Sequence, residues 1–100
     1  MSYDPGALNA ALAAAVGEDV ALIADLRVAF MESAQRQLDL LQRAHDDAAW
    51  ELAAWRLKGL AASFGLTALM ALAEEAADSP PGDPRILRQL KAMVDRLHQG

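Results

Sequence analysis

Hydrophobic side chains recur along the chain at intervals of three and four, the spacing that lines one side of an α-helix. The clearest run is Val20, Ile23, Phe30, Met31, Ala34, Leu38 and Leu41, which predicts a long helix ending at about Ala44. Glu18 and Asp19 precede it, where negative charge suits the positive end of a helix. Upstream, Asp4 can accept from the free N–H groups of a first turn and Pro5 supplies the φ of the first helical position. Together they predict a short helix from about Pro5 to Val16, ended by Gly17. "HDDAAW" offers Asp46 and Asp47 as N-cap candidates for a third helix reaching about Phe64, with Gly65 as its break. Leu66, Leu69, Met70, Leu72, Ala73 and Ala76 then mark a fourth segment running to about Asp78. "SPPGDP" is a strong loop signal. After it, Asp83-Pro84 repeats the opening cap for a last helix whose inward positions are Ile86, Leu87, Leu90, Met93, Val94 and Leu97, ending near His98.

The expected fold is all-α: an up-down-up-down bundle of four substantial helices with a short extra helix at the N-terminus. Composition points the same way. The chain is 54% hydrophobic but only 5% aromatic and is rich in alanine, which favours thin, closely packed helices over a sheet. At 100 residues, one domain spanning 1–100 is expected.

Charge and cysteine content then remove several function classes. A net charge of -5 and a pI near 4.8 argue against nucleic acid and anionic membrane as partners, because both demand clustered Lys and Arg. No cysteine is present, so a disulfide framework, a thiolate metal site and a cysteine nucleophile are all excluded. The N-terminal apolar run lacks a preceding basic segment and makes a poor signal peptide. The longest uncharged run, Gly59 to Ala73, is shorter than the roughly 20 residues of a membrane span. A soluble, cytoplasmic protein is the expectation.

The third helix carries the informative pattern. With about 100° per residue, Trp50, Ala53, Ala54, Leu57, Leu60, Ala61 and Phe64 gather on a core side. The opposite side gathers Ala48, Glu51, Leu52, Trp55, Lys58, Gly59 and Ala62. Trp50 should therefore point inward and Trp55 outward. An interior glycine costs about 1 kcal/mol relative to alanine, so Gly59 needs a reason. Either it relieves crowding against a neighbouring helix, or something must approach the face closely.

The string Trp55-Arg56-Leu57-Lys58-Gly59, followed by Gly65, Leu69, Leu72 and Glu75 and preceded by the aromatic Trp50, resembles the histidine-containing phosphotransfer (HPt) domains of bacterial multistep phosphorelays. Their signature on one helix of a four-helix bundle is His-x-Leu-Lys-Gly, with a second glycine at the helix end. In that family the histidine takes a phosphoryl group from an aspartyl phosphate of a receiver domain, the lysine offsets its charge, and the glycine lets the receiver approach. The resemblance assigns the lysine and glycine roles to Lys58 and Gly59, but places Trp55 where the histidine belongs. Indole cannot replace imidazole, because its N–H only donates and its nitrogen lone pair belongs to the ring.

The resemblance thus implies a pseudo-phosphotransfer protein that binds receiver domains, or another two-component partner, without accepting phosphate. Its expected partner-binding residues are Trp55, Lys58, Gly59, Leu52, Ala62, Glu51, Ala48 and Arg56. The alternative is a helical module that has left phosphorelay signalling and pairs with a second copy of itself through the same strip, as a homodimer. An enzyme is not expected. The sequence offers no Ser-His-Asp set, no phosphate loop and no metal box, and no cofactor is implied. His45 and His98 fall off the Lys58 face. His45, Asp46 and Asp47 read as capping residues rather than metal ligands, and Glu74 and Glu75, which diverge by about 100°, read as a solvated face.

Overall fold

Short acidic side chains and left-handed glycines set the helix boundaries. In the computed structural model, which describes residues 7–17 and 19–99, the elements are α1 (Ala7–Val16), α2 (Val20–Arg43), α3 (Asp47–Ser63), α4 (Thr67–Ala77) and α5 (Pro84–Gln99). Among the described residues there is no strand. Asp19 caps α2 by accepting from Leu22 N–H at 3.1 Å, and Asp46 caps α3 by accepting from Ala49 N–H at 2.8 Å. Asp83 accepts from Arg85 N–H at 3.0 Å at the start of α5. Asp47 is not the cap of α3 but its first residue, where its charge still suits the helix dipole. The N-cap expected of Asp4, the first helical position expected of Pro5 and the helix-end charge expected of Glu18 lie outside the described residues.

The end of α3 shows why Gly65 is a glycine. Leu66 N–H donates to Ala61 O at 3.0 Å and Gly65 N–H to Ala62 O at 3.1 Å. These are the paired bonds of a Schellman motif, which requires the left-handed φ of +65° found at Gly65. In the α4–α5 connection, Asp83 N–H donates to Pro80 O at 3.1 Å across a turn centred on Pro81 and Gly82.

Helices α2, α3, α4 and α5 pack in a ring, each against its neighbour in sequence and α5 back against α2, while α1 lies on α2. This is an up-down-up-down four-helix bundle with a short N-terminal addition. Its core combines large residues such as Phe30, Leu38, Trp50, Leu57, Leu69, Ile86 and Leu90 with buried Ala34, Ala53, Ala54, Ala61, Ala73 and Ala76. The alanines let the backbones approach, as the composition predicted. Phe30 meets Phe64 edge to face, with ring centroids 5.2 Å apart. Trp50 is buried, and its Nε1–H donates to Ala76 O of α4 at 2.6 Å.

The structure corrects one inward position. Val20 is 78% exposed rather than part of the core. It opens a 24-residue helix whose ring neighbours α3 and α5 have 17 and 16 residues, and its first turn, with Leu22 also 41% exposed, is left without cover. Arg27 serves near this end. Its guanidinium donates to Asn9 Oδ1 of α1 at 2.8 Å and to the Leu97 and His98 carbonyls of α5 at 2.8 and 2.7 Å, joining three helices at once.

Candidate functional site

Because α3 has core neighbours on one side only, its other side is a continuous surface, and the residues gathered there by helical spacing do lie together. Trp55 is 51% exposed and Leu52 is 52% exposed. Ala48, Glu51, Gly59 and Ala62 are exposed around them, and Lys58 is half-buried. Trp50, five residues before Trp55, is 1% exposed. The two tryptophans therefore point in the directions expected of them.

Gly59 does not relieve crowding. A Cβ built on it meets nothing within 4 Å, so no neighbouring helix requires the glycine. The space above it is open to whatever approaches from solvent. Its carbonyl accepts from Ser63 Oγ–H at 3.0 Å, a local bond that leaves the outward side of the residue clear.

The site has two unlike flanks. On the α4 side, Lys58 Nζ lies 4.5 Å from the centroid of the Trp55 ring and 2.9 Å from Glu74 Oε1. One ammonium thus meets both the negative face of an indole and a carboxylate. Glu74 and Glu75 are exposed, as a solvated face should be, but each holds a cation: Glu75 Oε2 lies 3.2 Å from Arg85 Nη2. On the α2 side, Leu40, Ala49, Leu52, Ala53 and Arg56 line a shallow hollow of about 140 Å³. Leu40 is 43% exposed and extends the apolar surface from α3 onto α2.

Leu40, Glu74 and the hollow's Ala49 and Ala53 are contributors not expected from the sequence. Leu40 did carry a signal, since adjacent Leu40 and Leu41 differ by about 100° around α2 and only one can face the core. Glu74 carried none, because its meeting with Lys58 depends on how α3 and α4 are set against each other.

Neither histidine belongs to this face. His45 lies in the α2–α3 connection, before the first residue of α3, and His98 is exposed in the last turn of α5. Among the described residues, no three His, Asp or Glu side chains are placed to hold a metal ion. Also among these residues, no helix is long and apolar enough to cross a membrane.

Comparison with known proteins places this arrangement. No curated protein and no solved structure matches the chain. The family model of the Hpt domain matches residues 25–100, a segment that takes in α3, α4, α5 and all of α2 except its first five residues, leaving α1 outside. Since that match spans about three-quarters of the chain and the helices form the bundle such domains adopt, the chain belongs to the Hpt domain family, whose members are phosphotransfer carriers of two-component phosphorelay signalling.

Proposed function

We propose that this protein is a pseudo-phosphotransfer member of its family, acting in the cytoplasm, that docks on the receiver domain of a response regulator without accepting phosphate. The observation that carries this reading is the half-exposed Trp55 ring, at the position the motif gives to the phosphorylated histidine. It shares its face with exposed Leu52 and the open space above Gly59. A docking surface is retained around a residue that cannot form a phosphoramidate, because indole nitrogen has no free lone pair to attack with. Tryptophan is well suited to anchor such a contact, since it buries a large rigid area at little conformational cost.

Within this reading, Trp55 and Leu52 are the apolar anchors, Ala48 and Ala62 keep the surround flat, and Gly59 allows close approach. Glu51, Arg56 and Lys58 form the charged rim. The protein then sequesters a response regulator or competes with an active phosphotransfer domain for it.

The test is direct binding to a panel of receiver domains, with Trp55→Ala run beside the unaltered protein. Titration calorimetry reads the affinity of both proteins, and because Trp50 is buried a fluorescence change in the unaltered protein reports mainly on Trp55. Saturable binding to one or a few receivers, weakened by at least about 2 kcal/mol (roughly thirty-fold) in the variant, is expected for a central aromatic anchor. Binding that is unchanged in Trp55→Ala refutes the role of Trp55. Absence of binding to every receiver, with a fluorescence shift on dilution, would instead identify the homodimer.

A further inference from the structure

Of the cations on the α3 face, Arg56 makes no hydrogen bond or ion pair among the described residues, whereas Lys58 is held by Glu74 at 2.9 Å and by the Trp55 ring. We propose that Lys58 marks an anion-binding position that the protein fills with its own Glu74 carboxylate, and that a carboxylate of the docking partner displaces Glu74 on binding. The inference depends on the receiver reading only for the identity of that partner.

Three observations support the exchange. Lys58 is placed to be shared, because its ammonium carries three donors, is 27% exposed, and stands beside the residue proposed as the docking anchor. Glu74 comes from a different helix, is 52% exposed, and its side chain makes no other hydrogen bond or ion pair among the described residues, so releasing it breaks nothing else. Its neighbour Glu75 is turned to Arg85, which leaves Glu74 as the carboxylate dedicated to Lys58. An exposed pair of this kind is weak, worth about two- to five-fold in an equilibrium constant, and a partner's carboxylate can compete with it. At rest the pair cancels the Lys58 charge, so the face attracts anions poorly. On docking, the ammonium changes carboxylates and Glu74 returns to water.

The experiment measures quenching of tryptophan fluorescence by iodide and by neutral acrylamide in four proteins: unaltered, Glu74→Gln, Lys58→Met, and the double variant. Buried Trp50 contributes little to either. Freeing Lys58 beside the Trp55 ring should raise the iodide quenching constant of Glu74→Gln by about two-fold at low ionic strength. Acrylamide quenching should not change, and the gain should vanish when Lys58 is also replaced. No gain overturns the proposal. A gain that persists without Lys58 also overturns it, since removal of any nearby negative charge would then account for the effect.

A second arm uses a receiver that binds the unaltered protein. Glu74→Gln should bind it about two- to five-fold tighter, and Glu75→Gln should bind it unchanged. Weaker binding by Glu74→Gln would mean that Glu74 itself contacts the partner, which overturns the exchange. If no receiver binds the unaltered protein, the receiver reading fails while the quenching arm still decides whether Glu74 fills an anion position.

Discussion

Replacing Gly59 by alanine separates what stabilises this bundle from what its surface is for. Gly59 lies inside α3, its backbone is not among the glycines with positive φ, and an added Cβ meets nothing within 4 Å. The methyl group therefore introduces no clash and reduces the freedom of the unfolded chain. Relative to glycine, alanine at such a position stabilises by about 0.5–1 kcal/mol. For a domain of this size, that gain raises Tm by about 2–8 °C. The same substitution six residues later has the opposite sign. Gly65 also has open space around its Cβ position, but its φ is +65°, where an L side chain costs about 1–2 kcal/mol. Gly65→Ala should lower Tm by about 4–16 °C.

Thermal and urea denaturation followed by circular dichroism at 222 nm, the usual helix signal, would measure both variants. A lower Tm for Gly59→Ala, or a higher one for Gly65→Ala, would refute the reasoning from open space and backbone sign. If the proposed docking on a receiver is right, the stabilised Gly59→Ala protein should also bind that receiver more weakly, because the methyl group occupies the open space above the helix. Undiminished binding would remove close approach as the reason for this glycine.

Other substitutions probe contacts that hold the site in place. Trp50→Phe deletes the 2.6 Å bond from Nε1 to the Ala76 carbonyl, which keeps the Ser79 N–H at 3.0 Å, and fills less of the core; urea unfolding should show a loss of about 1–3 kcal/mol from the lost bond and the smaller ring. Asp46→Ala removes the cap on Ala49 N–H and should cost about 1 kcal/mol, with faster amide exchange in the first turn of α3. Arg27→Met deletes the bonds from α2 to Asn9 and to the Leu97 and His98 carbonyls. Hydrogen exchange should increase in α1 and the last turn of α5 while the α3 and α4 amides stay protected.

Some of these contacts were legible in the sequence and others were not. The opposite orientations of Trp50 and Trp55 follow from their five-residue separation on one helix, and the structure has the first 1% and the second 51% exposed. The end of α3 at Phe64, the break at Gly65 and the caps at Asp19, Asp46 and Asp83 are likewise local matters of backbone hydrogen bonding. Val20 fits the apolar spacing yet lies in water, because spacing describes a face and does not say where the covering helix stops. Leu40 has the opposite history: its phase excludes it from the core, but only the seating of α2 against α3 makes it a wall of the hollow it shares with Leu52 and Arg56.

The sequence by itself determined the helices, the face that α2 to α5 turn inward apart from Val20, and the motif around Trp55, Lys58 and Gly59, since these depend on residues within a few turns of one another. Tertiary structure alone decided which groups meet across helices: Lys58 with Glu74, the Trp50 indole with the Ala76 carbonyl, and Arg27 with the end of α5. It also decided that Gly59 faces open space rather than a neighbouring backbone. The physical reason is that such meetings depend on the rotation and axial offset of packed helices, which are set by the fit of the whole core and not by the period of any one segment.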